Sequence, residues 1–174
     1  MSYAGLNNGP VQIQSSGGVP IIASERVAYF DGSAWTNFSE LMGLPAGQLT
    51  DTYVMPWYNN VDLNSQLRFG NVGSSDTTVT VTVGGVVKGT YPLAVNQSLR
   101  VSYAGLNNGP VQIQSSGSVP IIASERVAYT PNGGLTWTSF SELMGLPANE
   151  LTDTYVMPWY NNVDLNSQLR FGVP

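Results

Sequence analysis

Apolar and polar residues alternate with a period of two along most of this chain. Val79, Val81 and Val83 alternate with threonines, and residues 99–103 and 111–114 follow the same pattern. A period of two gives a strand one buried face and one exposed face, as in antiparallel sheets. Clusters of glycine and asparagine separate these segments, which is typical of turns in all-β domains. The sequence therefore predicts an all-β fold, an antiparallel, immunoglobulin-like β-sandwich of about seven strands.

The chain also repeats itself almost letter for letter. The duplicated segments are residues 2–29 and 102–129, residues 38–46 and 140–148, and residues 49–70 and 151–172. They differ at one position, Gly18, which is Ser118 in the second copy. A recurrence with a period of about 100 residues is the signature of a tandem repeat. Because residues 71–100 occur once, we expect the chain to be a fragment of a longer array.

Two divisions into domains fit this duplication. The first has the C-terminal part of a preceding repeat with its linker at 1–50, a complete sandwich at 51–130, a linker with a short helix at 131–150, and the N-terminal part of a following repeat at 151–174. The second has two modules at 1–72 and 102–174, joined by 73–101. The second division is favoured because its two modules begin and end with the same duplicated sequences. The strand count and the short span of 51–130 favour the first, which is our prediction.

The predicted linker contains one helix signal. Ser139 and Glu142 have the spacing of a capping box, in which the glutamate side chain reaches back to the cap residue. Gly145 suits the left-handed position after a helix, and Pro147 prevents the helix from continuing. The first copy has the same pattern at Asn37, Glu40, Gly43 and Pro45. We therefore predict a short helix between successive sandwiches.

Charged residues interrupt the apolar pattern of the strand around 121–129. Strict alternation would place Glu125 on the buried face beside Ala123. A β-bulge near Ser124–Arg126 would turn the Glu125 carboxylate outward. If the carboxylate stays inside, an ion pair across the sheet would neutralise its charge. Either explanation is structural and not catalytic. The residues expected to form such ion pairs are Glu25, Arg26, Arg68, Glu125, Arg126 and Arg170.

Composition excludes several functions. Only 10% of the residues are charged, the net charge is −5, and six residues are lysine or arginine. A nucleic-acid partner requires a basic patch, which this sequence lacks. No run of about 18 apolar residues is present, so we expect no membrane insertion. Cysteine and histidine are absent, which removes disulfides, thiolate metal sites and the commonest general base. We therefore predict no enzymatic activity, no catalytic residues and no cofactor.

One stretch could supply oxygen ligands to Ca²⁺, which prefers six to eight of them. Its amides and carboxylate are Asn161, Asn162, Asp164 and Asn166, repeated as Asn59, Asn60, Asp62 and Asn64. The stretch has a single carboxylate and lacks the distal bidentate glutamate of Ca²⁺ loops. A turn stabilised by Asn and Asp side chains is therefore the stronger interpretation, with Ca²⁺ as a weak alternative.

Aromatic residues beside these amides suggest a second binding hypothesis. Alternation places Tyr155, Met157 and Trp159 on a buried stripe, and the next ring then faces outward. Pro158 cannot donate a hydrogen bond to a sheet, so this strand is an edge strand or is locally broken. The candidate contact residues for a glycan or a partner surface protein are Tyr58 and Asn59, with their copies Tyr160 and Asn161.

Three motifs together resemble a repeat module of large secreted bacterial proteins, chiefly surface proteins of filamentous Chloroflexi-type bacteria. They are Ser124-Glu125-Arg126-Val127, the segment Phe140 to Pro147, and Pro158-Trp159-Tyr160-Asn161-Asn162. The resemblance covers nearly the whole chain and implies an extracellular β-sandwich in arrays, without catalytic residues.

The repeat and the resemblance together predict a structural role. We expect a module of a stalk, filament or surface layer at the cell surface. Exposed strand edges readily pair with another chain, so we expect this module to associate with itself, head to tail or as fibres. The alternative is an adhesin that binds a glycan or another surface protein.

Overall fold

A computed structural model describes residues 5–130 and 138–174. Its strands are β1 (Ser24–Phe30), β2 (Trp35–Met42), β3 (Thr52–Met55), β4 (Tyr58–Asn59), β5 (Asn64–Asn71), β6 (Thr77–Val83), β7 (Val86–Leu93), β8 (Ser98–Val101), β9 (Asn107–Asn108), β10 (Val111–Ser115), β11 (Ile121–Tyr129), β12 (Ser139–Met144) and β13 (Leu146–Pro147). Short 3-10 turns lie at Ser16–Gly18, Ala46–Gln48, Ser116–Ser118 and Ala148–Glu150. Across residues 5–130 and 138–174, no helix has the length and hydrophobicity needed to span a bilayer.

Two antiparallel sheets between Thr52 and Pro147 form a sandwich. One sheet has the order β13-β3-β10-β6-β7 and the other has the order β12-β11-β5-β8. Strands β4 and β9 form a separate two-stranded sheet. The prediction of an antiparallel all-β sandwich is confirmed. Among the described residues, seven strands of the two sheets lie between Thr52 and Tyr129, and β12 and β13 add one strand to each sheet.

The core lies between the two sheets. Val79, Val81 and Val83 of β6 are buried, whereas the threonines between them are partly exposed, as the alternating sequence predicts. Leu67 and Phe69 of β5 face them from the other sheet. Burying such side chains contributes roughly 1.5–3 kcal/mol each relative to leaving them in water. The remaining buried members of the cluster are Tyr53, Met55, Tyr58, Leu93, Val111, Ile113, Ile121 and Ala123.

The predicted helix from Ser139 to Gly145 is wrong, because Ser139–Met144 form strand β12. Val127 of β11 lies opposite Ser141, and the Gly145 N–H donates to the Ala123 carbonyl at 2.9 Å. Long-range pairing with β11 outweighs the local capping pattern. In the first copy, Asn37, Glu40 and Met42 lie in strand β2. Of the segment 131–150, predicted as a linker, residues 138–150 contribute β12 and β13 to the sandwich, and residues 131–137 lie outside the described residues.

Outside the sandwich, β1 and β2 form a hairpin that copies β11 and β12. Ser24 pairs with Met42, as Ser124 pairs with Met144, and the registers match from there to Ala28. Among the residues that the structure describes, this hairpin is a sheet of two strands. Segments 5–23 and 151–174 contain no strand, although their duplicates are strands inside the sandwich.

Candidate interaction surfaces at the repeat junctions

A close glycine–proline contact occurs where each duplicated segment meets the sandwich. A Cβ atom added to Gly70 of β5 would lie 3.1 Å from the Cβ of Pro10. A Cβ atom added to Gly172 would lie 3.1 Å from the Cδ of Pro110. Gly172 is the copy of Gly70, and Pro110 is the copy of Pro10. The same contact therefore joins the first copy to the sandwich and the sandwich to the second copy.

The first copy also contacts the sandwich through β2 and the loop that follows it. The backbone N–H of Glu142 in β12 donates to the Ser39 hydroxyl in β2 at 3.0 Å. Leu44, the copy of Leu146 in β13, packs against the buried core. The junction thus combines a polar contact beside an edge strand with an apolar contact on the core.

Glu142 is the centre of the ion pairs on the second sheet. Its Oε1 accepts hydrogen bonds from Arg68 at 3.0 Å and from the Arg126 Nε at 2.8 Å, and its side chain is 4% exposed. Burial and the nearby charge of Arg126 lower the pKa of Arg68, and Glu142 opposes that shift. The guanidinium of Arg126 lies over the Phe140 ring, 5.4 Å from its centre. Three separate strands are linked by this one carboxylate.

The first copy has only part of this ion-pair group. Arg26 contacts Glu40 at 3.4 Å in an exposed pair, and Ser24 donates to the same carboxylate at 2.8 Å. Arg26 lies over Phe38, as Arg126 lies over Phe140. The arginine that corresponds to Arg68 on a neighbouring strand is missing here, because β1 has no β5 beside it.

Glu125 lies on the buried face of β11 and is 3% exposed. The expected β-bulge is wrong, since β11 pairs with β5 and with β12 without a shift of register. Burial raises the pKa of Glu125 to about 7, against the lowering effects of the Ser65 hydroxyl and the Arg170 charge. One carboxylate oxygen, Oε1, has no hydrogen-bond partner.

Electrostatic effects also cross both junctions at equivalent positions. The charge of Arg170, in the second copy, acts on Glu125 of the sandwich. The charge of Glu25, in the first copy, acts on Arg68 of the sandwich. The structure therefore brings the predicted charged residues into two groups, one on β5, β11 and β12 and one across the junctions. Sequence reasoning missed Glu142 and Glu40, because the helix prediction used them as capping residues.

Tyr58 is buried and cannot present a ring to a sugar, so its predicted contact role is wrong. Its hydroxyl donates to the Ser65 carbonyl at 3.0 Å and accepts from the Tyr103 N–H at 2.7 Å. The strand stops at Met55, Pro56 is exposed, and a new strand begins at Tyr58. Pro56 thus interrupts the strand as expected. After the interruption Tyr58 is buried, whereas strict alternation would have buried Trp57.

Asn59 and its copy Asn161 stabilise the same tight turn. Asn59 Oδ1 accepts from the N–H groups of Val61 at 3.0 Å and Asp62 at 3.1 Å. Asn161 Oδ1 accepts from Val163 at 2.9 Å. These bonds are those of a turn stabilised by asparagine side chains, the stronger of the two interpretations of this stretch. Residues 5–130 and 138–174 hold no group of three acidic side chains arranged for a metal ion.

Tyr160 is 54% exposed, but its hydroxyl makes the same local bond as that of Tyr58. It donates to the Ser167 carbonyl at 3.1 Å, where Ser167 is the copy of Ser65. The second copy therefore keeps the local hydrogen bonds of the sandwich without its neighbouring strands.

No model of a known protein family matches this chain, and no curated protein matches it either. Among solved structures it is similar to the one described as "Crystal Structure of Thermotoga maritima 1070", with 13% sequence identity and a TM-score of 0.42. That similarity covers 55% of this chain and 91% of the other.

Proposed function

We propose that this chain is a structural module of an extracellular repeat protein, such as a stalk, filament or surface layer, in which sandwiches are joined in series. The observation that carries the proposal is the paired junction contact. Gly70 against Pro10 and Gly172 against Pro110 are one contact made twice, once with the first copy and once with the second. A contact that recurs at each repeat sets a constant step between modules, which is what a spacer requires.

The character of the junction supports the same role. Its components are a proline against a glycine, a leucine on the core and a hydroxyl accepting from a strand N–H. These are packing and positioning contacts. The extracellular location is the part of the proposal that depends on the resemblance to secreted surface proteins.

Small-angle X-ray scattering of longer arrays tests this proposal. Chains carrying one to four additional copies of the unit of about 100 residues would be compared at low concentration. The proposal predicts that the maximum dimension grows by the same increment with every added unit. Arrays that collapse into a compact particle, or that vary in length like a flexible chain, would contradict a spacer function. Replacing Gly70 and each of its copies by valine provides a comparison, because the added side chain meets Ser98 Oγ of the same sandwich at 2.5 Å and Pro10 at 3.1 Å. The increment should become irregular in arrays whose circular dichroism shows that the sandwiches remain folded.

A further inference from the structure

The two duplicated segments expose side chains that are buried where the same sequence occurs in the sandwich. Phe171 is 88% exposed, whereas Phe69 is 2% exposed, and Ile13 is 61% exposed, whereas Ile113 is fully buried. Identical sequences therefore differ only in what covers them. The sandwich itself shows which strand covers each of these residues.

Segment 151–173, called here the donor segment, keeps two local hydrogen bonds of the region from Thr50 to β5. Its Tyr160 hydroxyl bonds to Ser167 as Tyr58 bonds to Ser65. Its Thr152 N–H donates to the Tyr155 hydroxyl at 3.3 Å, which matches the bond from Thr50 to Tyr53 at 3.4 Å. A segment that is partly ordered in its bound conformation loses less conformational entropy when it binds.

Segment 9–43, called here the acceptor segment, contains the hairpin β1–β2 in the register of β11–β12. A Cβ atom on Gly145 would lie 2.8 Å from Met55 and 3.1 Å from Tyr53, both on β3. A Cβ atom on the equivalent Gly43 would meet only atoms of Ala23 within 4 Å. The position that β3 occupies in the sandwich is thus open in the acceptor segment.

We propose that the partner of each segment is a second copy of this chain, whose donor segment pairs with the acceptor segment in the register that β3 and β5 have with β10 and β11. This inference rests on the proposed serial role and identifies the partner of the same surfaces. In the register of the sandwich, Gln112 pairs with Val54 and Glu125 with Leu67. The corresponding pairs between two chains are Gln12 with Val156 and Glu25 with Leu169.

A composite of one donor segment and one acceptor segment would rebuild most of the sandwich core. The sandwich core cluster has thirteen buried side chains among the described residues, and nine of these have a copy in the two segments. Five copies are in the donor and four in the acceptor: Tyr155, Met157, Tyr160, Leu169 and Phe171, and Val11, Ile13, Ile21 and Ala23. The four without a copy are Val79, Val81, Val83 and Leu93, from β6 and β7. The composite is therefore a partial sandwich, open where β6, β7 and β8 would lie.

Charge supports the same partner. In the sandwich, Glu142 receives Arg126 from β11 and Arg68 from β5. In the acceptor segment, Glu40 receives Arg26 from β1 and lacks the second arginine. The donor segment carries that arginine as Arg170, the copy of Arg68. Docking in the proposed register places Arg170 opposite Ser24, where it can reach Glu40.

The association would be head to tail. Donor and acceptor are different surfaces, so an open dimer formed by one such pairing leaves one of each exposed. Such heterologous contacts extend into filaments unless the rotation between copies closes a ring.

Cysteine cross-linking tests the register, because the chain has no cysteine of its own. Four single-cysteine variants are needed: Gln12→Cys, Gln14→Cys, Val156→Cys and Thr154→Cys. Paired positions on antiparallel strands have Cα atoms about 4.5–5.5 Å apart, which suits a disulfide. One variant of each mixture would be isotope-labelled, so that mass spectrometry identifies a bond between two different chains.

The proposal predicts that the mixtures 12 with 156 and 14 with 154 form the mixed disulfide about ten times faster than 12 with 154 or 14 with 156, since two residues displace the partner by about 7 Å. Equal rates in all four mixtures, or no mixed disulfide while circular dichroism shows folded sandwiches, would overturn it. If cross-linking gave one of these results while the scattering experiment still showed a constant increment per unit, the proposed spacer function would stand. Only the pairing with a second copy of this chain would then be refuted.

Discussion

Glu125 and Glu25 have the same neighbours in sequence and different surroundings in space. Glu125 is 3% exposed inside the sandwich, whereas Glu25 is on the exposed face of a two-stranded hairpin. Burial without a full set of hydrogen bonds disfavours the charged carboxylate. The protonation of Glu125 is therefore linked to the folding of the sandwich.

Stability should consequently fall as the pH rises. The pKa of Glu125 is about 7 in the folded protein, against an ordinary value of 4.5. Between these two values the unfolded chain loses its proton first, so ionisation favours unfolding, and the loss is complete above about pH 7. A shift of this size corresponds to roughly 3 kcal/mol.

The variant Glu125→Gln should remove that pH dependence and be more stable than the parent protein at pH 8. Urea unfolding between pH 4.5 and 8 measures the effect. Glu25→Gln is the matched control and should leave the pH profile unchanged. A Glu125→Gln profile that still follows the parent protein would show that another group is responsible.

Individual residues on β11 and β12 differ in how far the sequence predicts their contacts. Alternation placed Glu125 inward, and that geometry holds because β11 has no bulge. The partners of Arg68 and Arg126 could not be inferred, because Glu142 lies on a strand that was expected to be a helix. An ion pair between residues 74 positions apart requires knowledge of strand pairing, which a single sequence does not contain.

At the scale of elements, period-two patterns predicted the strands well because most residues on the buried faces are apolar, as Val79, Val81 and Val83 are in β6. The segment Ser139–Met144 misled the prediction because its local signals favour a helix cap. As a strand it turns Phe140, Glu142 and Met144 to the less exposed side, and this requires Glu142 to be neutralised by two arginines. Pairing with β11 therefore outweighs the local helix-capping signals of this segment.

Gly109 and Gly9 allow a test of packing between elements, since both belong to the sequence Asn-Asn-Gly-Pro. A Cβ atom on Gly109 would collide with the backbone carbonyl of Pro56, which cannot move aside easily. A Cβ atom on Gly9 would meet only the Ser98 side chain, at 3.1 Å. Gly109→Ala should therefore lower the free energy of unfolding by about 1–3 kcal/mol, which denaturant unfolding would measure.

Gly9→Ala serves as the control and should leave the unfolding midpoint of the sandwich nearly unchanged. Equal losses in the two variants would mean that the glycines are required by the local chain and not by the contact with Pro56.

At the scale of the whole molecule, the duplication was evident from sequence alone, whereas the junctions were not. The contact of Gly172 with Pro110 depends on how two copies sit in space. The hydrophobic pattern of the duplicated segments is also identical to that of the sandwich strands, so no pattern distinguishes exposed copies from buried ones. Only pairing partners decide which copy is covered.

Pairing of the donor segment of one chain with the acceptor segment of another, in series, should be visible in sedimentation velocity over a concentration series. The weight-average sedimentation coefficient should rise steadily with concentration and pass beyond that of a dimer. Phe171→Asp, at a side chain that is 88% exposed, should abolish the rise without unfolding the sandwich. A single monomeric species at every concentration, or association that stops at a closed dimer, would contradict serial pairing of the two segments.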